Sequence, residues 1–435
     1  MAGKNLCEQV AQLAFDTFES LPARCKPRTD QSGIKEWVPM SAVILAQNNI
    51  SPPVLQLAAL ATGSKCLPAT TLPKAHGLIL HDSHSEILAL RGLNHFLLQE
   101  TYHLLKDPEY ISPYLIRTRD TQVQSIDKRP YAFQIRPSIT IHLFSTEAPC
   151  GDASMEFIMS AQQDATPWPI PIPPPTNNSP EDEGNSMPSL PGRSYFSALS
   201  IVRRKPSRPD ASPTLSKSCT DKLTLKQFTS TLSSLPALLI SPRNAYISTF
   251  TIPADKYNPE SYNRAFGTTG RLSALATAGV YIDDPRESYP AEYTFTPFVI
   301  TPLPATFDYT YRYSKPPPTD TTTKASKTST LYINCRNASD RTTEVLVSGV
   351  KQGHAQFSTD HRKGSAASRK KTWRLLREIA ELLDDDDEEL KTRVAVPCYA
   401  DVKAACVERA AVKQRVVEAL GGWHKNCGDD EWGFP

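Results

Sequence analysis

An α/β fold is what this 435-residue sequence predicts. Three observations predict it. Short apolar runs with strand character are followed by longer segments of helical periodicity. Two of these strand-to-helix junctions carry groups able to hold a metal, at His84 and at Cys150. The length suits one large α/β body or two closely packed domains, and residues 1–435 are read as one catalytic body interrupted by loops.

Taken in order, residues 6–18 have helical spacing, with Leu6, Val10, Leu13, Ala14 and Phe18 on one face. Leu78-Ile79-Leu80 reads as a short buried strand. Asp82 and Ser83 then cap a helix starting near His84, with Ile87, Leu90, Leu93, Asn94 and Leu97 around its packed side. His84 and Glu86 thereby fall on the first turn of that helix. A second junction follows residues 139–144, which alternate as a strand does, and residues 150–158 read as the next helix. A helix start there would favour Cys150 as a thiolate.

Farther along, residues 237–240 and 246–250 read as short strands and 342–350 as another. Residues 369–383 read as a basic amphipathic helix. Residues 400–420 read as one long terminal helix that Gly421-Gly422 stops, so that the Trp423 segment packs back onto the core.

Three stretches read as surface loops. Residues 164–190 carry Pro169-Ile170-Pro171-Ile172-Pro173-Pro174-Pro175 and then a polar run, which marks a flexible insertion. Residues 315–330 pass from Pro316-Pro317-Pro318 to threonine, serine and lysine, a low-complexity loop. Residues 384–389 are an acidic surface loop. The 38 prolines against 18 glycines thus reflect loop composition, not a fibrous repeat.

A hydrophobic content of 39% fits a packed soluble core. No apolar segment approaches the length of a membrane span, and no signal-peptide core adjoins the amino terminus. The nine cysteines therefore give little support to a secreted disulfide scaffold, and cytoplasm or nucleus is the expected compartment. The net charge of +2 hides a division: without the six acids of 384–389 the remainder carries +8. Basic groups cluster at Arg203, Arg204, Lys205 and Arg208, and again from Arg362 to Arg377. Such patches suit phosphate binding without identifying a nucleic acid.

His84, Cys150 and Cys219 offer one nitrogen and two sulfurs, a set that zinc accepts with a fourth position left open. Glu86, two residues from His84, is placed to take a proton from metal-activated water and deliver protons to a ring and a departing amine. Nucleobase deaminases carry His-x-Glu followed by Pro-Cys-x-x-Cys. Here Ala153 stands where the close second cysteine would fall, so the distant Cys219 must complete the set. The plain alternative is a polar helix start and two unrelated buried cysteines.

The motifs Asp82-Ser83-His84-Ser85-Glu86, 145–154 (STEAPCGDAS) and Ser218-Cys219-Thr220-Asp221-Lys222 resemble the catalytic domain of eukaryotic RNA adenosine deaminases, the editase family. Gly192-Arg193, residues 201–206 (IVRRKP) and Arg208-Pro209-Asp210 resemble its tRNA-specific branch, as in the fungal alanine-tRNA enzyme. The motif begins too early to leave much room upstream for double-stranded-RNA-binding domains, and none is expected there. The resemblance implies a cytidine-deaminase-like zinc-containing core with a C-terminal helical elaboration. It implies hydrolytic conversion of adenosine to inosine immediately 3′ of the anticodon, position 37, of alanine tRNA; no obligate protein partner is inferred. The alternatives are a free-nucleoside or cytidine deaminase, which would more naturally show the close cysteine pair, and a noncatalytic RNA-binding scaffold.

The resemblance further implies a buried inositol hexakisphosphate. By matching positions its ligands are Arg91 and Lys222, with Tyr399, Lys403 and Lys413 on the terminal helix and Trp423 and Lys425 closing the site. Four positions depart from the family pattern. His81 stands for asparagine, Leu225-Lys226 for a basic-tryptophan step, and Arg409 for an aromatic residue.

Overall fold

The computed structural model describes residues 5–118, 131–161, 190–191, 198–205, 211–278, 292–317, 320, 322–384 and 387–434. In chain order the first half contains α1 (Leu6–Ser20), β1 (Lys35–Trp37), β2 (Met40–Gln47), β3 (Val54–Thr62) and α2 (Ser85–Lys106). Then come β4 (Leu115–Arg117), β5 (Phe133–Ile135), β6 (Ile139–Ser145), α3 (Met155–Ser160), β7 (Leu190–Pro191), β8 (Arg203–Arg204) and α4 (Cys219–Thr229). The second half contains β9 (Ile247–Ile252), α5 (Pro259–Phe266), α6 (Ser273–Ala278), β10 (Val299–Pro302), β11 (Thr323–Ala325), β12 (Thr328–Ile333), β13 (Thr342–Val347) and β14 (Val350–Lys351). It closes with α7 (Arg369–Glu381), α8 (Glu388–Val394), α9 (Tyr399–Ala404) and α10 (Val407–Leu420).

Eight strands form the central sheet in the order β10-β9-β6-β2-β3-β12-β13-β14. The pairs β6–β9 and β9–β10 are parallel, and the others are antiparallel. The sheet is covered on both faces, which is why β2 reads as a continuous apolar run. Met40, Ala42 and Ile44 face α1 and its Val10, Phe15 and Phe18. Val43 and Leu45 face the opposite core, with Leu88, Leu93 and Phe96 of α2. That alternation is the period of a strand. The α/β expectation and the α1 and β6 expectations agree with this architecture.

Several local expectations do not. Leu78-Ile79-Leu80 is buried but forms a turn, not a strand, with Leu80 N–H donating to Gly349 O at 2.9 Å. Residues 237–240 form no strand either. Pro236 opens a 3₁₀ turn there, and only Ile240 bridges to Phe133. The 342–350 strand breaks at Ser348 (φ +50°) and Gly349 (φ +81°), a two-residue hairpin turn whose right-handed strand twist requires positive φ.

The single terminal helix is two helices, because Arg393 takes the carbonyl of Ala405 and Cys406 turns into the core. The loop expected over 315–330 includes β11, which pairs with β1, and the start of β12. In the acidic stretch, Glu388 and Glu389 begin α8, where acids favour a helix N-terminus. The 164–190 insertion lies outside the described residues except for Leu190. Among the described residues no helix is long and apolar enough to cross a membrane.

Burial pushes His95 and His142 down to about 4, with Lys371 adding to the effect on His95. His142 is held between Thr140 Oγ1 and Thr249 Oγ1, each at 2.8 Å. Below pH 6.5 an unfolded chain takes up protons that the folded chain refuses, so stability present above that pH is lost as pH falls toward 4. Thermal melts across pH 4–7 are expected to fall through this window, and His142→Gln is expected to flatten the slope. A slope unchanged by that substitution would contradict the account.

Candidate active site

Three chain segments converge at the carboxyl end of β6. His84 holds the position just before the first turn of α2, with extended backbone, and its N–H donates to Asp82 Oδ1 at 2.9 Å. Asp82 and Ser83 therefore precede the cap position instead of filling it. Ser41 Oγ on β2 lies 2.9 Å from Ser85 Oγ and 3.1 Å from Ser145 Oγ, which pins the helix start to the sheet. Cys150 follows β6 in a loop ahead of a 3₁₀ turn over Asp152–Ser154, not at a helix start. Cys219 is the first residue of α4, capped by Ser218 Oγ, which accepts from Asp221 N–H at 3.1 Å.

His84 Nδ1 lies 3.7 Å from Cys150 Sγ and 3.5 Å from Cys219 Sγ. A tetrahedral zinc with ordinary Zn–N and Zn–S bonds would set this nitrogen–sulfur separation at about 3.6 Å, so the donor set fits the ion. Glu86 is buried, and its Oε2 lies 3.3 Å from Cys219 Sγ and 3.2 Å from Ser85 Oγ.

Gly151 makes the approach of Cys150 to α4 possible. Its φ is +109°, and a Cβ there would lie 2.3 Å from Ser218 Oγ and 2.5 Å from Ser218 Cβ. Gly151→Ala is expected to cost roughly 2–5 kcal/mol, adding backbone strain to overpacking. Denaturant unfolding checks this. A loss under about 0.5 kcal/mol, the scale of neutral surface changes, would contradict it.

The thiols are unequal. Cys150 accepts from Cys219 and, despite burial, is also favoured as thiolate by Lys205 and His84, so it is held well below the usual thiol range. The Cys219 N–H at 3.3 Å supplies the helix-end amide, from α4 and not from the segment following Cys150. Burial and the facing Cys150 push Cys219 up. Burial and then Lys205 would lower His84, but the Cys150 thiolate outweighs them and holds the imidazole up at about 10. Burial raises Glu86, with His84 opposing and Cys150 adding. A cation at this point would favour the thiolate form of Cys219 as well as that of Cys150.

Residues 59–426 match the adenosine-deaminase (editase) domain, most of the chain. The chain belongs to this family. It is 29% identical over 430 residues to tRNA-specific adenosine deaminase 1 of Schizosaccharomyces pombe, covering 98% of this chain and 97% of the relative. Identity to tRNA-specific adenosine deaminase 1 of Saccharomyces cerevisiae is 34% over 233 residues, 53% of this chain and 54% of that one. The Drosophila melanogaster protein of the same name is 30% identical over 271 residues, 60% and 59% of the two chains.

Within this editase domain, a buried network backs the His/Cys/Cys cluster. Lys205 Nζ lies 3.2 Å from Cys219 Sγ and 2.8 Å from Asp82 Oδ2. Asp82 Oδ2 also accepts from Ser216 Oγ at 2.9 Å and from Lys222 Nζ. Burial opposes ionisation of Asp82, but Lys205, Lys222 and His84 hold it well below the carboxylate range. Burial likewise opposes the charge of Lys205, which Asp82 and the two thiols restore. Sequence reasoning grouped Lys205 with a basic cluster, and only its 4% exposure reveals the role. Lys222, expected among the polyanion ligands, is placed on Asp82 and on Ser216 Oγ at 2.7 Å.

The remaining expected polyanion ligands fall into two groups. Arg91 is half-buried near Arg369 and Tyr399, its Nη1 3.5 Å from Ala367 O. Tyr399 is buried, stacks on Trp432 at 4.6 Å, and has the Arg369 guanidinium 5.6 Å from its ring. Lys403, Lys413 and the exposed Lys425 repel one another, and Lys413 is pushed down to about 8 by burial and then by Arg409, Lys403 and Lys425. Among the described residues none of these three lysines makes a side-chain hydrogen bond or ion pair. Trp423 stands apart, packed with Leu225, Phe228, Val412 and Val416, and Lys217 Nζ lies 5.5 Å from its ring.

Arg369 is a member the sequence did not single out. Its Nη1 donates to Asp429 O at 2.9 Å, and Asp429 Oδ2 lies 2.6 Å from His81 Nε2. Burial and then Arg369 push His81 down to about 4, so this contact is a neutral imidazole N–H donating to a carboxylate. Asp429 thereby returns the C-terminal segment to the metal-binding end of α2. No local pattern in the sequence announces that contact.

Proposed function

We propose that this editase domain converts adenosine to inosine in tRNA, immediately 3′ of the anticodon, position 37, of alanine tRNA. The observation that carries the chemistry is the Glu86 carboxylate 3.3 Å from Cys219 Sγ, beside a nitrogen and a sulfur pair at zinc-ligand spacing. The tRNA substrate is supported by tRNA-specific relatives, one of which aligns over 98% of the chain.

His84, Cys150 and Cys219 would hold the zinc, whose Lewis acidity makes a water molecule easier to deprotonate. Glu86 takes the proton from the attacking water and returns one to the ring nitrogen. It carries the second to the exocyclic amine, so that adenosine and water give inosine and ammonia. Ser85 Oγ, 3.2 Å from Glu86 Oε2, steadies the carboxylate between transfers. The target base must leave its stack to reach so enclosed a carboxylate. Positive groups outside the site position the tRNA backbone.

A polyanion, inositol hexakisphosphate, is the cofactor that the half-buried cations near Arg91 fit. Arg91, Lys403 and Lys413 would bind its phosphates with Arg369, and Lys425 would close the outer side. Burying such charges without an anion is costly, and phosphate oxygens satisfy both charge and donors.

Five substrates separate the readings: intact alanine tRNA, its isolated anticodon stem-loop, duplex RNA, free adenosine and free cytidine. Inosine formation on intact tRNA alone is expected. Turnover of the free nucleosides with none on tRNA would replace the proposal by a nucleoside deaminase. No turnover of any substrate by zinc-loaded protein would support a noncatalytic role.

A further inference from the structure

Two cations that depart from the family pattern meet at the far end of the helix that begins with Cys219. Lys226 Nζ lies 2.7 Å from Thr231 O and 3.5 Å from Ser230 O, just past the last turn of α4. Arg409 reaches the same segment from α10, with Nε 3.1 Å from Leu232 O and Nη2 3.4 Å from Thr229 Oγ1. Asn94 of α2 fixes it from the third side, through Thr231 O at 3.0 Å and Ser233 N–H at 2.6 Å.

Among the described residues neither Lys226 nor Arg409 has a carboxylate partner. Their charges are met only by neutral oxygens at a helix C-terminus, whose dipole favours cations but does not neutralise two of them. A guanidinium carries five N–H donors, and the two contacts of Arg409 leave the others free for a ligand. Lys226 lies within electrostatic reach of Arg91, and Arg409 within reach of Lys403 and Lys413. The pair thus joins the cations of α2 to those of α9 and α10. Leu225 cannot contribute, because it turns into the apolar cluster with Val412 and Val416.

Resting on the polyanion reading above, we infer that Lys226 and Arg409 are phosphate ligands that also clamp the C-terminal end of α4, coupling polyanion retention to the metal site at its other end. The basic group that the family pattern places on α4, where this chain has Leu225, is thereby supplied from α10.

The test is to purify full-length wild type, Arg409→Gln, Lys226→Met and Arg409→Lys and assay each for three quantities. These are inositol phosphate released by acid, read by phosphorus NMR; zinc per chain; and the thermal midpoint with and without added inositol hexakisphosphate. Arg409→Gln and Lys226→Met are expected to retain about tenfold less inositol phosphate, the scale of one lost charge-assisted hydrogen bond, and less zinc. Arg409→Lys is expected to retain more than Arg409→Gln.

Wild-type retention in both charge-removing variants would overturn the inference while leaving the polyanion reading intact. Loss of inositol phosphate with full zinc would overturn the coupling through α4. Wild type free of inositol phosphate, and not stabilised by adding it, would overturn the cofactor reading and this inference together. Should Arg409→Gln fail to accumulate, Lys226→Met decides by the same criteria.

Discussion

Glu86→Gln is expected to bind zinc at the wild-type ratio and to lose deamination by about 10²–10⁴-fold, the range of a positioned proton-transfer group. The substitution keeps size and shape in a site where Glu86 is only 4% exposed. An amide oxygen still accepts the Ser85 hydroxyl that lies 3.2 Å from Oε2. It cannot accept a proton from water and pass it to a leaving amine. Single-turnover measurement of inosine, with zinc determined on the same sample, separates loss of chemistry from loss of the site. Activity within a few-fold of wild type would remove Glu86 from the mechanism.

Cys219→Ser is expected to lose zinc and activity together. A group that merely orients a metal ligand is worth about 10–100-fold in affinity, so loss of the thiolate itself should exceed that. The substitution leaves Ser218 to cap α4, but takes away the sulfur that lies 3.5 Å from His84 Nδ1 and 3.2 Å from Lys205 Nζ. Lys205 then faces His84 and Cys150 with one balancing thiol fewer. Elemental analysis of the purified variant is the check. Full zinc occupancy in Cys219→Ser would contradict the assigned ligand set.

What the sequence disclosed and what it withheld follow from the range of the interactions. His84 and Glu86 share one helical turn, and β6 alternates cleanly, so local pattern was enough to find them. Ala153, standing where a nearer cysteine would be expected, put the third ligand farther along the chain, and the motif around Cys219 supplied it. The distances that bring it within 3.5 Å of His84 depend on Gly151 passing Ser218, a contact between loops far apart in the chain.

Lys205 read as one member of a basic cluster suited to phosphate because its partner, Asp82, is distant in sequence. The same holds for His81 with Asp429, and for Arg409 with the end of α4. Short apolar runs misled for the opposite reason. Leu78-Ile79-Leu80 and residues 237–240 are buried as a strand would be, but burial does not require a ladder. Turns serve when a proline or a neighbouring loop satisfies the backbone.

Sequencing of inosine in intact, unmodified alanine tRNA after incubation with zinc-loaded protein tests the central claim most directly. The account predicts one new inosine, immediately 3′ of the anticodon, with wild type and none with Glu86→Gln. No inosine with wild type, inosine only elsewhere in the tRNA, or equal inosine from both proteins would contradict it.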